Sequence, residues 1–216
     1  MNRDAKIKHW DKMYQLPLEN IPWEIQAPPA ELVELIDSGE LKGGKALDIA
    51  SGTGNYSFYL AQHGFEVTAV DFSKKALEIG EKNNQKLKLP VTFKFADVTQ
   101  IEEALPGDQF DFILDYSILH HLDPKVTDSY AKQVANLLKP GGKLLLVCYS
   151  DKDQFAQGQG TAQGTYGNTM FYRTAEEIRE AYKGLKEVSY KETRLGKRLH
   201  HIAHSFLFEK QRSNAR

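Results

Sequence analysis

The sequence predicts an α/β fold built on a doubly wound, mostly parallel sheet, and three observations predict it. Short apolar runs at residues 45–50, 66–71, 91–96, 110–115 and 142–149 alternate with segments long enough to hold helices, the pattern of parallel strands covered on both faces. The first run, Lys45-Ala46-Leu47-Asp48-Ile49-Ala50, passes straight into a glycine turn, Ser51-Gly52-Thr53-Gly54. The second ends in a carboxylate, Asp71, about 17 residues beyond Gly54, where a nucleotide-binding βαβ unit places the acid that grips ribose hydroxyls.

In chain order, the first 40 residues hold Trp10, Tyr14 and Trp23 around Pro17, Pro22, Pro28 and Pro29, followed by a helical stretch from Ala30 to Ser38. Ser73 caps the helix that begins Lys-Lys-Ala-Leu-Glu-Ile-Gly, because its hydroxyl can accept from an unpaired first-turn N–H. Asp123-Pro124 opens another helix, with proline in the first turn, and that helix stops before Pro140-Gly141-Gly142. Gln154 to Gly167 is rich in Gly and Gln, can bury little apolar surface, and is expected to be a mobile flap. Thr174-Ala-Glu-Glu177 has the spacing of a capping box and predicts a helix at 175–183. Two strands follow, near 185–193 and 199–209, joined by Leu195-Gly196-Lys197.

A chain of 216 residues, 41% apolar and 26% charged, suits one globular core. With 28 basic against 29 acidic side chains the net charge is −1, which offers no electrostatic footprint for a phosphate backbone. No run of 18 apolar residues is present and the amino terminus, Met-Asn-Arg-Asp-Ala-Lys, has no apolar region of a secretory leader, so a cytoplasmic chain without membrane association is expected. The single cysteine, Cys148, lies in the run Leu144-Leu145-Leu146-Val147-Cys148 and reads as a buried small hydrophobe.

The turn also selects the nucleoside. A dinucleotide fingerprint needs Gly-x-Gly-x-x-Gly, and from Gly52 its last position is Ser57, which disfavours NAD. The pattern Asp48-Ile49-Ala50-Ser51-Gly52-Thr53-Gly54 instead resembles the first motif of the class I S-adenosylmethionine (SAM) dependent methyltransferases, an acid followed by Gly-x-Gly-x-Gly, with alanine at the first glycine. The resemblance runs from about Leu47 to Ser150 through four ordered motifs. It implies a Rossmann-like, seven-stranded sheet whose final strand is antiparallel and inserted beside the fifth, and a reaction that leaves S-adenosylhomocysteine. One domain over 1–216 would comprise an N-terminal helical lid at 1–40, a SAM-binding core at 45–150, a flap at 154–173, and a C-terminal helix with edge strands at 174–210.

The resemblance assigns site residues. Asp48 lies below the methionine ammonium, while Ala50, Ser51, Gly52 and Gly54 shape the turn. Asp71 holds the ribose, its alternative being a cap ahead of Ser73. Phe72 lies against the adenine or in the core. In Phe93-Lys94-Phe95-Ala96-Asp97-Val98 the Asp97 carboxylate accepts from the adenine amino group and the backbone of Val98 faces the ring. Asp115 and Tyr116, at the end of Phe110-Asp111-Phe112-Ile113-Leu114-Asp115-Tyr116, stand where the transferred methyl is held, Asp115 touching the cofactor as well. His120 joins them as a catalytic candidate, since imidazole titrates near neutral pH; with His121 it can equally pack or cap structure.

The segment His9-Trp10 to Tyr14 and Pro22-Trp23-Glu24 is similar to the amino-terminal lid of thiol, halide and tellurite-resistance methyltransferases. That similarity sets Trp10 and Tyr14 over the cofactor, where an aromatic ring shelters a sulfonium, and Trp23 against the substrate; a helix packed on the core is the alternative. Tyr172 and Arg173, just after the flap, are further substrate contacts. His200, His201 and His204 fall on a strand, with His200 and His204 on one face and His201 on the other, so pocket lining or sheet packing is expected and a metal site is not.

A sulfonium methyl is already electrophilic, so the protein need only position a nucleophile and exclude water. The expected function is methyl transfer to a small molecule, a thiol, chalcogenide or amine. A nucleic-acid or protein methyltransferase and a SAM-binding module without catalysis are the alternatives. Asp115-Tyr116-Ser117-Ile118 lacks the two prolines of amino-methylating DNA enzymes, and no loop cysteine is available to attack a pyrimidine.

Overall fold

The computed structural model describes residues 3–212 apart from 157, 159, 165, 166 and 197–199. Its backbone divides into two compact units, residues 1–98 and 99–216. The strands form a seven-stranded sheet in the order β3-β2-β1-β4-β5-β9-β8, with a separate hairpin of β6 and β7, their ranges being given below.

The first unit contains α1 (Arg3–Met13), a 3-10 turn at Leu18–Asn20, α2 (Ala30–Asp37), β1 (Gly44–Ile49), α3 (Asn55–Gln62), β2 (Phe65–Asp71), α4 (Lys74–Leu87) and β3 (Val91–Phe95). β1 runs parallel to β2, Asp48 opposite Ala69, and β2 parallel to β3, Asp71 opposite Phe95. Ala46, Leu47, Ile49, Ala69 and Val70 are all buried, as strands flanked by helices on both faces require. The Ser73 hydroxyl accepts from Ala76 N–H and starts α4 where the capping signal put it.

The second unit contains α5 (Ile101–Ala104), β4 (Phe110–Tyr116), 3-10 turns at Leu119–His121 and Pro124–Val126, α6 (Thr127–Leu137), β5 (Leu138–Tyr149), β6 (Thr161–Gln163), β7 (Thr169–Phe171), α7 (Ala175–Ala181), β8 (Lys186–Leu195) and β9 (His201–Glu209). β4 and β5 are parallel. β9 is antiparallel to both β5 and β8, so the last strand enters beside the fifth. Because β9 opposes β5, its start lies at the carboxyl end of β5, where Tyr149 faces Ala203. That end of an open α/β sheet is where ligands are taken. β8 is largely exposed, rich in Lys and Glu, and bulged between Glu187 and Ser189, features that blunt an edge strand.

Four expectations are corrected. β5 begins at Leu138 rather than 142 and includes Pro140-Gly141-Gly142; the register shifts between Phe110 and Phe112, and Gly141 N–H donates to Lys210 O while Lys210 N–H donates to Gly142 O. The helix opened by Asp123-Pro124 starts as a 3-10 turn, with Asp123 accepting from Lys125 N–H, and becomes α only at Thr127. α7 ends at Ala181, short of 183, and Tyr182 is buried beyond it. The flap carries packing of its own: Ala156, Met170 and Tyr172 form a small core joined by Tyr149, Phe155 and Ala162, because Phe155 and Ala156 precede the glycine-rich stretch. Gln157, Gln159, Thr165 and Tyr166 of the flap, and Leu199 of the expected last strand, lie outside the described residues.

Candidate functional site

In the first unit one carboxylate holds the glycine turn and a second holds the helix that follows it. Asp71, at the end of β2, accepts from Gly52 N–H through Oδ2 at 2.8 Å and from Ser73 N–H through Oδ1 at 2.8 Å. The capping alternative is therefore realised, and each oxygen keeps a further lone pair for a ligand hydroxyl. Asp48 accepts from Ser57 Oγ at 2.6 Å. Burial pushes the Asp48 carboxyl up to about 7, against the Ser57 hydrogen bond, and that of Asp71 up to about 6, against the N–H donors of Ser73 and Gly52. Ser51 Oγ is buried with no hydrogen-bond partner among the described residues. Buried acids raised in this way favour a ligand that brings positive charge and hydroxyl donors.

The turn makes use of left-handed backbone. Gly52 and Gly54 have φ of +56° and +85°, and a Cβ on Gly54 would meet the Phe93 ring at 2.7 Å. Ala50 adopts φ of 57° without being glycine, so the residue that replaces the motif's first glycine retains a glycine-like conformation at a steric cost.

The amino-terminal segment packs onto this turn. Trp23 Nε1 donates to the Tyr14 hydroxyl at 3.0 Å, and Trp10 meets Trp23 edge-on at 5.4 Å. Tyr14 and Ile21 share a cluster with Ala76, alongside Trp23 and Ile79, so the segment does pack on α4. Asp11 fixes α1 there by accepting from Ser73 Oγ at 2.7 Å. Sequence reasoning gave no role to Glu24, which is buried and accepts from Thr53 Oγ1 at 2.7 Å and Asn55 Nδ2 at 3.0 Å. Burial raises the Tyr14 phenol well above its ordinary value, with Asp71 and Glu24 adding to the effect. The sequence signal for Glu24 is an acid directly after Pro22-Trp23.

Further along the same unit Phe72 and Phe95 stack at 5.9 Å. Arg3 lies 3.3 Å from Asp97 and its guanidinium 6.0 Å over the Phe72 ring. Val98 is buried at the start of a 3-10 turn.

The second unit holds the remaining candidates. Asp115 is fully buried, accepts from the Tyr130 hydroxyl at 2.8 Å through Oδ2, and leaves Oδ1 without a partner among the described residues. Burial pushes its carboxyl up to about 7, partly offset by Tyr130. Tyr116 is half-buried at the end of β4, and Ser117 after it adopts φ of 76°. His120 is buried, stacks on Tyr149 at 3.8 Å, and accepts from Tyr149 N–H at Nδ1, 3.3 Å away. Its proton then sits on Nε2, which leaves no lone pair to take another; burial also lowers its pKa well below the ordinary value, with His121, His201 and Arg173 adding to this. Tyr172 lies in the flap core, and buried Arg173 donates to Leu122 O at 2.6 Å.

Two residues that sequence reasoning left without a catalytic role come together here. His201 Nδ1 is 3.2 Å from Asp153 Oδ1, and the His201 ring stacks on Tyr149 at 4.2 Å. His204, on the opposite face of β9, approaches Arg173 O at 2.9 Å and Tyr190 Oη at 3.0 Å. His200 is exposed. No group of three metal-ligating side chains occurs among the described residues.

Comparison with known proteins adds to this geometry. Residues 46–142 match the family model described as a methyltransferase domain. A probable thiol methyltransferase 2 of Arabidopsis thaliana is 29% identical over 140 residues, 65% of this chain and 61% of the relative. A ubiquinone biosynthesis O-methyltransferase of Coxiella burnetii is 34% identical over 119 residues, 54% of this chain and 48% of the relative. The chain thus spans about half to three-fifths of the length of these curated relatives. The solved structure of 1,6-didemethyltoxoflavin-N1-methyltransferase from Burkholderia thailandensis, with its substrate and S-adenosylhomocysteine bound, superposes with a TM-score of 0.74 at 19% identity, covering 96% of this chain and 89% of that one. This likeness establishes the fold.

Proposed function

We propose that this chain, whose residues 46–142 match the family model described as a methyltransferase domain, transfers a methyl group from SAM to a small molecule. The observation that supports the reading best is the glycine turn clamped by Asp71 at the end of β2, with Asp48 buried in β1 just ahead of the turn. SAM is a cation carrying ribose hydroxyls, and the two raised carboxylates and the unpartnered Ser51 hydroxyl fit such a group. When bound it supplies a sulfonium methyl as the electrophile. The chain's own contribution is to hold and orient: Asp48 toward the ammonium, Asp71 toward the ribose, Phe72 and Asp97 toward the adenine, and the Trp10, Tyr14 and Trp23 cluster over the whole as a screen against water.

The two curated relatives are named for transfer to a thiol and to an oxygen, so sulfur and oxygen acceptors are both in scope. A cytoplasmic location belongs to the same reading; no described helix is long and apolar enough to cross a membrane. Calorimetric titration with SAM, followed by detection of S-adenosylhomocysteine across a panel of small acceptors, tests it. Binding without turnover on any acceptor points to a SAM-binding module, and absence of binding removes the reading altogether.

A further inference from the structure

We propose that Arg3, at the start of α1, is a nucleobase-binding residue: its guanidinium and the Phe72 ring are the two walls of a slot that takes the adenine of the cofactor, with Asp97 at the edge. The proposal deepens the proposed function and rests on it. Every residue in it belongs to the first unit.

The slot starts from an aromatic shelf at the end of two strands. Phe72 follows β2 and Phe95 ends β3, and the two rings stack at 5.9 Å with 15° between their planes. Ala96 N–H donates to Asp71 O at 3.0 Å and ties the strand ends together. Phe95 is 36% exposed and Phe72 half-buried, so the shelf is not spent on the core. Flat faces of this kind take a further ring in offset stacking. Asp71, the acid assigned above to the ribose, directly precedes Phe72, which sets sugar and base next to each other along the chain.

Arg3 spans the shelf and the acid. Its Nε lies 3.3 Å from Asp97 Oδ2, and its guanidinium carbon stands 6.0 Å from the centroid of the Phe72 ring. That second distance decides the reading. A guanidinium stacked on a ring sits at about 3.5–4 Å, and a base inserted between the two needs about 7 Å, two such layers. The observed gap is too wide for contact and about 1 Å short of admitting a base. Arg3 can supply the difference, because its side chain is 57% exposed and exposed side chains change rotamer within nanoseconds.

The backbone that carries Arg3 is anchored. Asp11 accepts from Ser73 Oγ at 2.7 Å and from Lys75 N–H at 3.1 Å, which pins α1 to the start of α4. Arg3 lies on the same helix, about 12 Å toward its amino end. An ion pair this exposed contributes little to folding. Its effect is to hold the Asp97 carboxylate beside the slot while a flat cation overhangs the wall. Adenine presents the matching groups, a π-face on which a guanidinium plane stacks and an amino donor that a carboxylate accepts.

Calorimetry with SAM and S-adenosylhomocysteine, together with one NMR signal, tests this. R3A should weaken both ligands equally, by about 5- to 30-fold, the range of a cation–π contact closed from water, because both carry the same base. Its melting temperature without ligand should match the wild type. R3K keeps the charge without the plane and should recover only part of the loss. In protein labelled with nitrogen-15 arginine, the Nε–H signal that R3K removes should move upfield when S-adenosylhomocysteine binds, since a purine ring shields a group lying on its face. Affinities in R3A equal to the wild type overturn the proposal, and tighter ones do so by showing Arg3 to be a plug in the site. A loss confined to one ligand, full recovery in R3K, or an Arg3 signal that does not move upfield overturns it as well. A free R3A that melts below the wild type assigns the residue to folding and has the same effect. A wild type that binds neither ligand overturns the proposed function instead.

Discussion

The hydroxyl of Tyr14 occupies the space a side chain at Gly52 would need: a Cβ built there meets the phenol oxygen at 2.7 Å and Glu24 Oε1 at 2.9 Å. Gly52 also stands at φ +56°. Replacing it with alanine should lower stability by about 1–2 kcal/mol through the left-handed backbone alone, with a further loss as the amino-terminal segment is pushed off the turn. Urea unfolding of G52A measures the first, and faster amide exchange over residues 3–25 reports the second. A variant as stable and as protected as the wild type would show that the segment does not depend on this contact.

Ala50 calls for the opposite substitution. Its φ of 57° costs about 1–2 kcal/mol in an L-residue, and glycine removes that cost while giving back about 0.4–1 kcal/mol to the unfolded chain. A50G is therefore expected to be more stable by a net gain of up to about 1.6 kcal/mol, seen as a higher urea midpoint with unchanged m-value. A lower midpoint would mean that the methyl group makes packing contacts worth more than the strain.

Asp71 carries two loads, so its variants must be chosen with care. D71A leaves the N–H groups of Gly52 and Ser73 without their partners, at about 1–3 kcal/mol for each that stays dry. D71N keeps one acceptor oxygen and should unfold at an intermediate denaturant concentration. Equal stability of D71A and wild type would show that water replaces the carboxylate in the turn.

Three carboxylates set a pH trend. Asp48 and Asp115 are raised to about 7 and Asp71 to about 6, in each case mainly by burial. A folded-state pKa above the unfolded one means the native protein holds the proton more tightly. The stabilisation from these groups is then complete below about pH 4 and is lost as pH rises to about 7. Unfolding at pH 5 and pH 8 should show this loss superimposed on all other titrations, and D48N should reduce it. If D48N has the same pH dependence as the wild type, Asp48 is not protonated in the native state.

Much of the fold could be read before any coordinates. Strands buried on both faces write themselves as continuous apolar runs, which is why Leu47 to Ile49 and Phe112 to Leu114 were found close to their true bounds. The glycine turn was legible because Gly52 and Gly54 have no alternative residue at those angles without strain. The early start of β5 was not, since it depends on backbone pairing between Gly141 and Lys210, far along the chain. Glu24 reaches Thr53 across 29 positions and Asp153 reaches His201 across 48. No local spacing encodes contacts of that range, and only the folded packing of distant segments brings them about. His120 drew attention because a histidine pair is conspicuous in a sequence, while burial, which decides its role, is not visible there.

The edge-on pair of Trp10 and Trp23 has an optical consequence. These are the only two tryptophans in the chain, and both belong to the segment that covers the glycine turn, with Trp23 bonded to Tyr14. Excitation at the red edge of the protein's absorption band therefore interrogates that segment and almost nothing else. Emission wavelength, quenching by acrylamide and anisotropy would each follow the cover of the turn directly, without any label attached, and a ligand that left the segment undisturbed would leave the spectrum undisturbed as well.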